Sequence, residues 1–142
     1  TAQNVRALQE QFPERLFLEV RKAKSGLGTA YIHGFKWALE RDYGYIFEMD
    51  ADFSHNPKDL PRLLDACKNQ GYDMSIGSRY VKGGKVENWP FSRWLMSYYA
   101  SFYVRMVLWI NIKDTTAGFK CYSRKVLETL NLDNVRSRAS EK

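Results

Sequence analysis

Apolar positions along the chain follow two spacings, one helical and one extended. Val5, Leu8 and Phe12 recur every three or four residues, which predicts an amphipathic helix over residues 2–12, closed by Pro13. Leu16, Phe17, Leu18 and Val20 crowd into residues 15–21 and predict a strand. The turn Lys22-Ala23-Lys24-Ser25-Gly26-Leu27-Gly28 then leads into a helix predicted over 29–41. A short apolar run at 45–49 reads as a buried strand, and Pro57 suits the first turn of a helix reaching to about Asn69. A third strand is expected over 73–77, followed by a loop at Gly83-Gly84. An aromatic helix, a Gly118-containing segment over 114–122 and a short helix over 124–130 complete the pattern.

Alternation of helix and strand predicts an α/β domain with a mainly parallel sheet sandwiched by helices. One domain over 1–132 is expected, with a polar tail at 133–142 that frays. The chain opens on a helix with no strand before it. In nucleotide-binding α/β folds the first strand helps to build the pocket, so a partial domain without its N-terminal strands is expected.

Composition narrows the partners. The 142 residues carry a net charge of +6, which favours anions such as nucleotides and lipid headgroups. Cys67 and Cys121 have neither metal-site nor redox spacing, so free thiols in a reducing, cytoplasmic setting are expected. No stretch reads as a signal peptide. Between Phe91 and Ile110, fifteen of twenty residues are apolar, a length that would cross a bilayer. Arg93 and Arg105 lie inside it, and Ser92, Ser97 and Ser101 dilute it, so a buried or membrane-surface helix is expected instead. These aromatics do not alternate with basic residues on strands, which argues against nucleic acid.

Candidate chemistry gathers at predicted strand ends, where parallel sheets bind ligands. Asp50-Ala51-Asp52 follows the 45–49 strand, and two carboxylates one residue apart suit a hard divalent cation. Lys22 and Lys24 follow the first predicted strand, and Ser78-Arg79 the third. An arginine grips phosphate bidentately, so the set suits a diphosphate. Gly26 and Gly28 either let the backbone approach a nucleotide or form a plain turn capped by Ser25 or Thr29. Arg93, Ser97, Ser101 and Arg105 are spaced four apart as one polar stripe, either facing solvent or binding a second phosphate. Asp114, ahead of Thr115-Thr116-Ala117-Gly118, either orients an acceptor, serves as a base, or caps a bend. His33 is expected on a helix surface and His55 in a loop.

These segments resemble the dolichyl-phosphate (polyprenyl-phosphate) mannosyltransferases of glycosyltransferase family 2. The likeness rests on Lys24-Ser-Gly-Leu-Gly-Thr-Ala-Tyr, Phe47-Glu-Met-Asp-Ala-Asp-Phe-Ser-His-Asn-Pro, Gly77-Ser-Arg-Tyr-Val, Glu87-Asn-Trp-Pro and Asp114-Thr-Thr-Ala-Gly-Phe-Lys. It implies a GT-A fold and inverting transfer of mannose from GDP-mannose to a polyprenyl phosphate with Mg²⁺ or Mn²⁺. It further implies a metal and sugar-nucleotide role for Asp50 and Asp52, with Ala51 near the ribose and Ser54 on the metal side. By the same resemblance Arg79 grips the donor diphosphate, and Arg93 and Ser97 meet a donor or acceptor phosphate. The expected location is peripheral, at a membrane surface. The family's opening Pro-Thr-Tyr-Asn-Glu-like and Asp-Asp-Gly-Ser-like segments, which hold the nucleoside, have no counterpart here, nor do its later acceptor-side basic residues. This chain alone is therefore expected to bind GDP-mannose poorly.

Two other classes fit parts of the pattern. Asp50-Ala-Asp52-Phe-Ser54 loosely matches the Asp-x-Asp-x-Thr of haloacid-dehalogenase-type phosphatases, where the first Asp attacks phosphate. A non-enzymatic membrane-surface module would explain the charge and the aromatic helix.

Overall fold

The structure, a computed structural model, describes residues 2–21, 26–81 and 90–135, and of Arg93 only the backbone. Lys22, Lys24, Ser25, the Gly83-Gly84 loop, Glu87 to Trp89 and the tail from residue 136 lie outside the described residues. Five helices and three strands follow in the order α1 (Ala2–Gln11), α2 (Leu27–Leu39), β1 (Tyr45–Glu48), α3 (Leu60–Lys68), β2 (Met74–Ile76), α4 (Phe91–Leu108), β3 (Lys120–Ser123) and α5 (Arg124–Thr129) among these residues. A 3-10 turn at Pro57–Asp59 leads into α3, and the Asn56 side chain accepts from the Lys58 amide at 3.1 Å to cap it.

The sheet is sandwiched by helices, as expected. Side chains alternate across it, with Cys121 and Phe47 to one side and Tyr122 and Ile46 to the other. On the first side, Leu63 and Cys67 of α3 close over Phe119 and Cys121. On the second, Ala38 of α2 and Leu127 of α5 close over Ile46. Glu48 and Lys120 face each other in register and form an ion pair on that second side.

Two expectations are corrected. The sheet order is β1-β3-β2, and β3 runs antiparallel to both neighbours. β1 and β2 do share a direction, joined through α3, but β3 lies between them. A parallel return to the sheet needs a helix lying along it. α4 spans about 27 Å at the usual helical rise, makes no extensive contact with any strand, and delivers β3 from the opposite end. Residues 15–21 also form no strand. A strand requires a neighbour for its backbone hydrogen bonds, and this segment pairs with none of the three described strands. The segment packs instead through side chains, with Phe17 against Trp37 at 5.4 Å and the Trp37 indole donating to Glu19 at 3.1 Å.

α4 is likewise not the buried helix that composition allowed. Met96, Tyr99, Phe102, Tyr103, Met106 and Trp109 are exposed, whereas Ser101 is 1% exposed. Ser97, Ser101 and Arg105 of the polar stripe turn inward and the apolar face turns to solvent. Among the described residues, no helix is long and apolar enough to cross a membrane.

Candidate active site

The antiparallel course of β3 builds the site. β1 and β2 end at one edge of the sheet, and an antiparallel neighbour must begin there. Asp114 to Phe119, the approach to β3, thus meets Asp50 after β1 and Arg79 after β2.

Asp50 sits in a shaped recess. The Tyr31 hydroxyl from α2 donates to Asp50 Oδ1 at 3.3 Å, and His55 Nε2 stands 3.5 Å from Oδ2. The His55 ring lies against Phe119 at 5.1 Å between centroids. Gly118 closes the recess from below; a Cβ there would overlap Asp50 Oδ2 and come within 3.0 Å of Cγ. Burial, helped by the Asp50 and Glu48 charges, pushes the Tyr31 phenol up to about 12, so it remains a donor.

Asp52 is exposed and turned by its own loop. Its Oδ1 accepts from the Ser54 hydroxyl at 2.5 Å and the Ser54 amide at 3.0 Å. Those two bonds hold the Asp52 carboxyl below the usual carboxylate range. Ser54, expected on the metal side, thus gives its hydroxyl to Asp52. Ala51 is exposed between the two acids. Phe53 adopts φ 62 and is almost fully exposed, a left-handed conformation that bulky residues avoid.

Arg79 is clamped. Its Nε donates to Asp114 Oδ2 at 2.8 Å, its Nη2 to Oδ1 at 2.6 Å, and its backbone amide to Oδ2 at 3.0 Å. Asp114 is 1% exposed. Burial opposes its charge, yet the Arg79 bonds prevail and hold the carboxyl below its ordinary range. The same bonds raise the Arg79 guanidinium, reinforced by the nearby Asp50 charge. The sequence left Asp114 open among orienting an acceptor, acting as a base and capping a bend. With both oxygens turned to Arg79, its observed part is to fix the arginine.

Ser97 of α4 reaches this cluster, its hydroxyl 3.4 Å from that of Thr116. Thr116 also accepts from Arg79 Nη2 at 2.6 Å. Lys24 and the Arg93 side chain fall outside the described residues. Gly26, at φ 91, precedes α2, and its carbonyl accepts from the Thr29 hydroxyl at 2.8 Å. Only glycine accepts that φ without strain, and the cap here is Gly26 itself rather than Thr29. Tyr31, His55, Thr116 and Gly118 join the site without having been assigned to it from sequence. Gly118 carried a signal, since a glycine ahead of a strand often marks close backbone approach.

A three-stranded antiparallel sheet between helices, with two carboxylates beyond one strand end and a clamped arginine beyond the next, is consistent with a partial GT-A-type domain. The profile of glycosyl transferase family 2 matches residues 1–130. The chain belongs to that family. It is 49% identical over 126 residues to the polyprenol monophosphomannose synthase of Mycolicibacterium smegmatis, covering 89% of this chain and 47% of that protein. It is 49% identical over 118 residues to the undecaprenyl-phosphate mannosyltransferase of Micrococcus luteus, covering 83% and 48%. The dolichol-phosphate mannosyltransferase of Pyrococcus furiosus is 42% identical over 139 residues, covering 95% and 37%. The chain thus spans about half or less of the length of these curated relatives. Membership in a glycosyltransferase family removes the phosphatase alternative.

Proposed function

We propose that this chain carries the metal-and-diphosphate side of a mannosyltransferase that moves mannose from GDP-mannose to a polyprenyl phosphate with inversion. The observation that carries the reading is the shared sheet edge at which Asp50 follows β1, with Asp52 two residues on, and the clamped Arg79 follows β2. The printed names of the three relatives support the polyprenyl phosphate acceptor and the mannosyl group.

The donor set fits a hard cation. Asp50 and Asp52 offer carboxylate oxygens, and no third acid, histidine or cysteine completes a metal cluster among the described residues. Two protein carboxylates would hold Mg²⁺ or Mn²⁺ and leave its other positions to phosphate oxygens and water. Such an ion, when bound, neutralises charge on the departing diphosphate. Tyr31, His55 and Gly118 keep Asp50 aimed. Arg79, fixed by Asp114, presents a rigid guanidinium to a diphosphate without having to be ordered on binding. Ser97 and Arg93, by the family resemblance, meet a phosphate of the donor or of the acceptor. The acceptor phosphate is ionised near neutral pH and needs no strong general base, in keeping with Asp114 being committed to Arg79.

The lipid acceptor requires the domain to work at a membrane surface. The exposed Tyr99, Phe102, Tyr103 and Met106 face of α4 supports such a peripheral location, with Ser97 on the opposite, inward side. Mannosyl transfer from GDP-mannose to a polyprenyl phosphate by the full-length protein, lost on chelation and restored by Mg²⁺ or Mn²⁺, tests the reading. Turnover that survives chelation would sink the metal assignment.

A further inference from the structure

A row of aromatic rings starts at Arg79 and runs along the first half of α4. The Arg79 guanidinium carbon stands 5.4 Å from the centre of the Tyr80 ring. Tyr80 meets Trp94 at 6.3 Å and Tyr98 at 5.5 Å between centroids, both edge to face. Phe91, Trp94 and Tyr98 then stack on one another at 6.0 Å and 5.6 Å, their planes 19° and 12° apart. Residues three and four apart are neighbours on a helix surface, so these three fall in one row, about 10 Å long at the usual helical rise. Ser97, one turn from Trp94, reaches Thr116 of the Arg79 cluster. Tyr80 and Trp94 are partly buried, whereas Tyr98 is 42% and Phe91 74% exposed, so the row opens outward from the site. The Tyr80 hydroxyl is buried with no hydrogen-bond partner among the described residues, so ring packing rather than a polar bond seats it.

We propose that Tyr80, Trp94, Tyr98 and Phe91 form a rail for the first isoprene units of the acceptor, and that this rail selects an unsaturated chain over a saturated one. A polyprenyl phosphate whose headgroup sits at the Arg79 edge has to lay its chain on an apolar surface. This row is continuous with Arg79 through Tyr80. The near-parallel stacking sets the preference. Stacked rings cover one another's faces and leave their edges along the row. Ring edges carry the positive part of the aromatic quadrupole. The electron-rich double bonds of isoprene are drawn to such edges, while a saturated chain gains dispersion alone.

This inference rests on the mannosyl-transfer reading in taking a polyprenyl phosphate as acceptor. The test gives the full-length protein farnesyl phosphate or dodecyl phosphate, equal in main-chain length and both held below their micelle thresholds. The parent should show the lower KM with farnesyl phosphate. Trp94→Leu keeps apolar bulk and removes the ring edge. It should raise KM for farnesyl phosphate about tenfold, equivalent to about 1.4 kcal/mol, and move KM for dodecyl phosphate less than about twofold. Should Trp94→Leu fail to fold, Tyr98→Leu at the exposed end carries the same comparison. Tyr80→Phe, which keeps the ring, should match the parent with both acceptors; a loss there would place recognition in the hydroxyl and overturn the rail. Equal changes for the two acceptors, or no change for either, would also overturn it. Should the parent move no mannose, the proposed function fails by itself. Calorimetric titration of the two phosphates against parent and Trp94→Leu then decides: selective weakening of farnesyl phosphate supports the rail, and equal or absent binding overturns it.

Discussion

Gly118 lies so close beneath Asp50 that a methyl group on it would overlap the carboxylate oxygen Oδ2. Its backbone needs no unusual φ, so glycine is required here for space alone. The approach to β3 thus sets how far Asp50 can retreat, and the carboxylate is held up toward the sheet edge.

Gly118→Ala should therefore disturb Asp50 without unfolding the chain. Outer groups that orient metal-binding side chains are commonly worth about ten- to a hundredfold in affinity. Mn²⁺ affinity of the variant should fall by about that factor, read by titration, with the far-ultraviolet circular dichroism unchanged. Parent-like Mn²⁺ affinity would show that the contact is relieved by backbone adjustment.

The Asp114–Arg79 pair gives a stability prediction with a sign. The folded Asp114 carboxyl lies below its ordinary value of 3.8. Its stabilising contribution is therefore complete above about pH 4 and is lost as pH falls through the depressed folded value. Asp114→Asn should cost about 3 kcal/mol near neutral pH, because it leaves the half-buried guanidinium unpaired. The same variant should lose less than the parent between pH 5 and very low pH. Urea unfolding at neutral and acid pH checks both. Identical acid limbs would mean that other carboxylates dominate acid unfolding.

The outward face of α4 predicts a membrane phenotype. Phe102→Glu with Met106→Glu places two charges on an exposed apolar face and leaves Ser97 untouched. Flotation with vesicles containing anionic lipid should recover less of this variant than of the parent. Turnover of a short, water-soluble polyprenyl phosphate should be retained. Undiminished flotation would assign membrane contact to another surface.

Much of this arrangement was legible in the sequence, and what was missed shares a cause. Leu60, Leu63, Leu64 and Cys67 recur at helical spacing and form the packed face of α3. Asp50, Asp52 and Arg79 could be placed at strand ends because β1 and β2 were each marked by local apolar runs. The direction of β3 was not legible. Glu48 and Lys120, which pair directly, are 72 residues apart, and no local pattern encodes that register. The four-residue spacing of Ser97, Ser101 and Arg105 revealed one face of α4 but not which way it pointed. Periodicity is the same whether Ser101 or Phe102 faces inward. The bond between Asp114 and Arg79 was not legible for a related reason, since it is a contact between distant segments. Residues 15–21 had strand composition, but composition does not supply a hydrogen-bonding neighbour.

The central claim is that Asp50 and Asp52 hold the cation that serves the donor diphosphate. Its most direct measurement is Mg²⁺- or Mn²⁺-dependent mannosyl transfer from GDP-mannose to a polyprenyl phosphate by the full-length protein and by Asp50→Ala and Asp52→Ala. Each variant should lose at least about a hundredfold in kcat/KM, as expected when a preorganised electrostatic group is removed, and its remaining activity should no longer respond to the metal. Variants that keep parent-like, metal-dependent turnover would contradict the account.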